Sequence, residues 1–262
     1  MKKLLSLQLP VILLVLALFN SCAKEYSGSG WNTPKEDYNL LINFTPVVDT
    51  LKLSFDSTYK NYFDEPYKVS AFKFYICQFD LINTDSNKVY NVNKDKYFLI
   101  DAADSTTWKV KLSAVPFRYN RISFTIGVDS VRNVSGAQTG ALDPAKGMFW
   151  TWNSGYIMAK LEGTSPLSNQ PNGKFEYHIG GFKGIENAVR KPLLLFPFGV
   201  YSEITPNTKS IISVNANVNA WFYNPHDLKI EENPVVTTPG VLARSVSENY
   251  SKMFTVTAVK NE

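Results

Sequence analysis

The stretch Ile212-Ser213-Val214-Asn215-Ala216-Asn217-Val218-Asn219-Ala220-Trp221-Phe222 decides the fold class of this chain. Its apolar residues Ile212, Val214, Ala216, Val218, Ala220 and Phe222 alternate with Ser213, Asn215, Asn217, Asn219 and Trp221. Successive side chains of a strand point to opposite faces, so a period of two predicts one face in a core and one toward water. The same period recurs at Ile122, Phe124, Ile126 and Val128, and at Leu51, Leu53 and Phe55. Shorter strands are expected over Leu40–Phe44, Val69–Leu81, Tyr97–Ile100, Trp108–Leu112, Tyr156–Leu161, Phe175–Ile179 and Met253–Val259. The connectors carry turn formers, as in Asn83-Thr84-Asp85-Ser86-Asn87 and Gln170-Pro171-Asn172-Gly173. Helical spacing is confined to short turns around Ser135–Leu142 and Ser245–Ser251. Many strands without interleaved helices predict an all-β antiparallel sandwich or barrel. No repeat or linker divides it, so a single domain is expected over residues 37–262.

Upstream of that domain the chain changes character. Lys2 and Lys3 precede an apolar run from Leu4 to Phe19, interrupted only by Ser6, Gln8 and Pro10. The run is too short and too broken to span a bilayer comfortably, and it suits a signal peptide over residues 1–21. It ends in Leu18-Phe19-Asn20-Ser21-Cys22, which resembles the bacterial lipobox. That resemblance implies cleavage before Cys22 and acylation of its sulfur and new amino group, with palmitate among the acyl chains. Residues 22–36 then form a tether, because Ala23 to Pro34 is rich in Ser, Gly, Lys and Glu with little to bury. No Asp follows Cys22, and Lys24-Glu25 resembles the charged export signal of Bacteroidetes surface lipoproteins. The expected location is the outer membrane, with the face left open.

Charge and cysteine usage narrow the partners. The net charge of +4 falls to about half once Lys2 and Lys3 are removed, and no basic face is concentrated enough for a nucleic acid. Beyond Cys22 only Cys77 remains, so neither an intramolecular disulfide nor a cysteine-rich metal site is expected. Cys77 closes the apolar run Phe72-Lys73-Phe74-Tyr75-Ile76-Cys77 and is expected as a small buried hydrophobe. There is no serine elbow, no HExxH and no phosphate loop, and Gly180-Gly181-Phe182-Lys183-Gly184 reads as a turn. Enzymatic activity is not expected.

The chemically richest segment is Gly140-Ala141-Leu142-Asp143-Pro144-Ala145-Lys146-Gly147-Met148-Phe149-Trp150-Thr151-Trp152-Asn153-Ser154-Gly155-Tyr156. Trp150 and Trp152 stand two apart and share one side of an extended chain. Two uses fit them: a plug that closes one end of the sandwich, or an aromatic platform for a sugar or other ligand. Met148 and Met158 are expected in the core.

The loop run GMFWTWNSGY resembles the corresponding stretch of the MbnP-like family, envelope proteins named for a methanobactin-associated copper protein. The resemblance continues through Leu40-Leu41-Ile42-Asn43-Phe44, Phe72-Lys73-Phe74-Tyr75-Ile76, Tyr97-Phe98-Leu99-Ile100-Asp101 and Ile126-Gly127-Val128-Asp129. It extends to Phe175-Glu176-Tyr177-His178-Ile179-Gly180 and Asn249-Tyr250-Ser251-Lys252-Met253-Phe254. It implies an all-β domain and a copper site of two histidines, assisted by a tryptophan oxidised to kynurenine, in some systems by a partner di-haem enzyme. His178 matches one of those histidines. The other, and the tryptophan beside it, are implied just before Tyr97, where this sequence reads Val92-Asn93-Lys94-Asp95-Lys96.

His178 and His226 are the only histidines of the chain and hence the candidate metal ligands, with copper the implied ion. By strand parity His178 shares a face with Lys174 and Glu176. The expected function is a lipid-anchored MbnP-like protein that binds or handles copper. The alternatives are a carbohydrate- or nutrient-binding surface lipoprotein that stacks sugars on Trp150, Trp152 and Trp221, and an accessory subunit of an outer-membrane complex without a ligand of its own.

Overall fold

The strands that carry the fold are β1 (Leu40–Val48), β2 (Pro66–Asn83), β3 (Lys88–Asp101), β4 (Lys109–Leu112) and β5 (Arg121–Ile126). They continue with β6 (Gly155–Thr164), β7 (Lys174–Gly180), β8 (Leu193–Leu195), β9 (Ser210–Asn217) and β10 (Phe254–Asn261). Two helices join them, α1 (Ser130–Val134) and α2 (Val241–Tyr250). The structure is a computed structural model, described here for residues 38–152 and 155–262. The expected signal segment, the expected acylation site Cys22 and the expected tether over 22–36 lie outside the described residues.

The strands form two facing sheets. In the smaller, β10, β9 and β1 are neighbours, and β4 and the pair Leu51–Lys52 close the far side of β1. In the larger, the order is β8-β5-β2-β6-β7, with Val235–Val236 beyond β7 and β3 paired to the other side of β2. The β2–β3 hairpin is longer than the sequence reading, and its turn falls at Asn83–Lys88, where Asn87 takes a positive φ of 51°. The all-β reading holds for this domain. The antiparallel expectation has a departure at its centre, because β1 and β9 run parallel from Leu40↔Ser210 to Val47↔Asn217.

Alternation placed the core correctly on both sheets. Leu40, Ile42 and Phe44 of β1, Ile212, Val214 and Ala216 of β9, and Ile122, Phe124 and Ile126 of β5 are buried. The sheets meet through aromatic edges: the Phe44 ring lies 6.2 Å from Phe74, 5.5 Å from Phe124 and 5.9 Å from Phe254. Such edge-to-face pairs contribute beyond the area they bury. Cys77, Met148 and Met158 are buried as expected, and burial pushes the Cys77 thiol up to about 12.

Two sequence expectations are corrected. The long alternation that opened the reading ends at Asn217, and Val218–Trp221 turn into a 3-10 helix. The Asn217 side chain accepts from the Asn219 and Asp49 backbone amides, which diverts the chain although the polar–apolar pattern continues. Trp221 is therefore fully buried between Phe72 and Tyr250 and presents no stacking face. Second, Leu51–Phe55 is strand only at Leu51–Lys52: Leu51 is 66% exposed, and Leu53 and Phe55 pack on the core only partly buried, outside any strand.

Candidate functional site

His178 sits on β7 between Tyr177 and Ile179, both buried, and faces the outer side of the larger sheet. Register sets its neighbours. It pairs with Lys160 of β6, Lys160 pairs with Lys73 of β2, and Lys73 pairs with Asp101 of β3, a polar row across four strands. The His178 Nε2 lies 2.7 Å from Glu162 Oε1, and the Lys160 Nζ lies 3.3 Å from the same oxygen. The hydrogen bond from His178, helped by the Lys160 charge, holds the Glu162 carboxyl well below its usual range, down to about 2. Lys73 is paired with Asp101 at 2.8 Å. The Glu176 that strand parity placed beside His178 is opposite Glu162 in register, yet the imidazole bonds Glu162, the diagonal neighbour.

His226 lies in the loop that follows Trp221 and Phe222. Asn249 of α2, fully buried, fastens that loop: its Oδ1 accepts from the His226 amide, and its Nδ2 donates to the Trp221 and His226 carbonyls. The His226 Nε2 meets Glu248 Oε2 at 2.6 Å, and Glu248 also receives Arg244 Nε at 2.9 Å and Arg190 Nη2 at 3.5 Å. The His226 hydrogen bond, with Arg244 beside it, lowers the Glu248 carboxyl.

The two histidines are thus engaged in different places. Tyr177 packs on Phe222, so the loop leading to His226 lies against the core side of β7, whereas His178 points to the other side of that strand. Each carboxylate that an ion would recruit already neutralises a cation: Lys160 at Glu162, Arg244 and Arg190 at Glu248. Among the described residues no group of three or more His, Cys, Asp or Glu side chains is arranged to hold a metal ion. The stretch where the family resemblance implies the second histidine and its tryptophan, Asn93–Lys96, bulges out of β3 opposite Gln78 and holds neither residue type. It belongs to the strand on the far side of β2, with β2 and β6 between it and β7. The residues present do not fit a resident copper site of that kind.

The tryptophan loop also differs from a flat platform. Only Phe149–Trp150 are strand, paired with Gly155–Tyr156, and the chain turns away at Thr151. Trp150 is buried with its ring over Gly180, where an added Cβ would fall 2.3 Å from the indole. Gly180 is glycine because Trp150 needs that space. Trp152 is 64% exposed, and its ring is tilted 42° to that of Trp150 at 5.5 Å. Trp150 thus packs as a plug, and only one ring is offered to solvent. Beneath it lies a cavity of about 240 Å³ lined by Tyr156, Phe182, Lys183, Glu186 and Pro239.

Several residues that carried the family resemblance act as joints of the fold. The Tyr97 hydroxyl donates to Asp129, and Asp129 in turn caps α1 by accepting from the Arg132 amide. Gly127, at φ +107°, lies against Met158, whose sulfur would be 2.8 Å from an added Cβ. Glu162 and Glu248 were not legible as site residues, because neither stands at a fixed spacing from its histidine; only the β6–β7 register and the approach of α2 bring them in. No curated protein matches the chain. The chain is similar to a solved structure, MbnP from Methylosinus trichosporium, at 15% identity over 77% of this chain and 81% of that one, with a TM-score of 0.49. The MbnP family description matches residues 37–239, most of the chain. The chain belongs to the MbnP family.

Proposed function

We propose that this chain is an outer-membrane lipoprotein whose MbnP domain serves as an accessory module of an envelope assembly, and that its dealings with copper are weak and reversible. The anchoring half rests on Leu18-Phe19-Asn20-Ser21-Cys22 at the end of a signal-like apolar run. The other half rests on one observation: each imidazole is engaged by its own carboxylate, in a different place, with a cation already beside it. A borderline or soft ion held by a single imidazole loses most of its coordination energy to water and competing chelators. Copper handling then consists of transient contact at His178 or His226 and not of storage. A kynurenine-forming partner has no tryptophan to act on at the implied position, since Asn93–Lys96 contains none. A sugar-binding role gains no support from Trp150 and Trp152, whose rings are neither coplanar nor both exposed.

The test is a membrane preparation from cells that make the full chain without a histidine tag. Acyl label and membrane association should both be present, both should vanish in Cys22→Ser, and the dialysed protein should hold well under one copper per chain. Label retained in Cys22→Ser contradicts the anchor, and one tightly held copper per chain contradicts the accessory role.

A further inference from the structure

The end of the domain where the described chain begins also carries its most exposed apolar side chain, Phe198, with Leu193 and Leu195 on the strand that leads to it. Asn39, one residue into the described chain, bonds the Leu112 carbonyl through its amide and Ala114 through its side chain. Three residues beyond Ala114, Phe117 accepts from the Ile204 amide, and Arg118–Tyr119 pair with Ser202–Glu203. Asn261, at the end of β10, donates to the Tyr201 carbonyl. A chain of backbone and side-chain hydrogen bonds therefore links the start of the described domain to the segment 196–204. Within that segment Pro197–Val200 form a turn, with Gly199 at φ +74°, and the side chain at its tip, Phe198, is fully exposed.

The strand leading into this turn repeats the anomaly. A strand with one face in a core normally carries polar residues on the other. In β8, Leu194 is buried, and the outward positions are Leu193 and Leu195, more than half exposed. β8 is moreover the edge of its sheet, where natural proteins usually place charge or proline. Around the patch, cations lie on aromatic rings: Arg118 over Tyr201 at 4.2 Å and Lys88 over Phe117 at 5.2 Å. Acids share this end as well, Glu203 paired with Arg118 and Asp85 accepting from the Tyr201 hydroxyl. The surface is thus electrostatically mixed with an apolar tip, and aromatic and cationic rims of this kind suit the headgroup layer.

We propose that this end of the domain rests on the lipid bilayer, with Phe198 and Leu195 entering the headgroup–acyl boundary. The proposal rests on the lipid-anchor reading above. Cys22 to Tyr38 can span at most about 55 Å fully extended, so an anchored domain is held close to the surface with its entry end nearest in chain terms. A second contact point of this kind converts loose tethering into a fixed orientation, because the anchor raises the effective concentration of the patch at the membrane.

The experiment places an environment-sensitive fluorophore on a new cysteine in the full-length protein, reconstituted in phosphatidylethanolamine–phosphatidylglycerol vesicles. The variants are Phe198→Cys, Leu195→Cys and, as control, Val131→Cys, an exposed residue beyond the opposite end of β5. Cys77 is buried and its thiol is held protonated, so it does not compete for the label. Labels at 198 and 195 should shift to the blue and be quenched by a bilayer-embedded quencher but not by iodide, while 131 stays open to iodide. Vesicle-bound, acylated protein with 198 open to iodide overturns the proposal and leaves the anchor standing. A label shielded from both quenchers reports a second copy or a protein partner and also overturns it. Unacylated protein that does not float with the vesicles overturns the anchor reading and this proposal together.

Discussion

The two histidines of this chain make the same bond in opposite kinds of structure. His178 stands on a strand near one edge of the larger sheet, and its carboxylate partner is delivered by the register between β6 and β7. His226 stands in a loop, and its partner is delivered by a helix that a buried asparagine clamps to that loop. The His178 pair is well covered, with imidazole and carboxylate 18% and 28% exposed, whereas the His226 imidazole is 41% exposed. An imidazole–carboxylate pair is therefore not by itself a remnant of a metal centre. Here each carboxylate neutralises its own cations, Lys160 at Glu162 and Arg190 with Arg244 at Glu248, and each pair ties two elements together.

Substitutions around the two histidines should differ in the size of their effect. The largest effect is expected at Gly163, the chain neighbour of Glu162, where β2 and β6 shift register and an added Cβ would lie 2.0 Å from the Lys68 carbonyl oxygen and 2.6 Å from the Phe175 ring. Gly163→Ala should cost about 3 kcal/mol in denaturant unfolding; a neutral result shows that the β2–β6 junction beside Glu162 has room for a side chain. On the other side, Asn249→Ala strands the His226 amide and the Trp221 carbonyl. It should cost about 2–3 kcal/mol and speed amide exchange in the 221–228 loop. Unchanged exchange there would remove the clamp from the account.

Smaller effects come from the carboxylates themselves. Glu162 has its folded-state pKa lowered from the ordinary carboxyl value to about 2, so the stability it contributes is complete above about pH 4.5 and fades as pH falls toward 2. Glu162→Gln should therefore lose about 1 kcal/mol at pH 7 and match the parent near pH 2. A deficit that persists at pH 2 would mean that shape, and not charge, is what Glu162 supplies. Glu248→Gln, in the more open setting, should lose only a few tenths of a kcal/mol, and added salt should erase even that.

Much of the fold was legible because burial follows parity. β1, β5, β7 and β9 were placed by alternation alone, and the side of β7 that carries His178 was read correctly. The failures have a common physical cause in side chains that bond the backbone. Asn217 keeps the polar beat of the alternation while bending the chain into a helical turn, so Trp221 was assigned to the surface and lies in the core. Leu51–Phe55 leaves the strand after Lys52, where the Ser54 and Tyr59 hydroxyls bond the local backbone, and Leu53 and Phe55 reach the core only partly buried. The site was less legible than the fold. His178 and His226 were found by residue type, but Glu162, Glu248 and Asn249 come to them across 16, 22 and 23 residues of chain, through register and helix packing that spacing does not encode. Trp150 and Trp152 appeared equivalent in sequence and differ because the chain leaves the strand between them.

The most direct measurement is a competition titration of the tag-free protein with copper against a chelator of known affinity, on the parent, His178→Ala, His226→Ala and the double variant. Binding should be weak, each single substitution should remove its own share, the losses should add, and no tryptophan-bearing peptide should carry the mass of kynurenine. One tight site per chain that either single substitution abolishes would contradict it, because the two histidines would then have to meet at one ion.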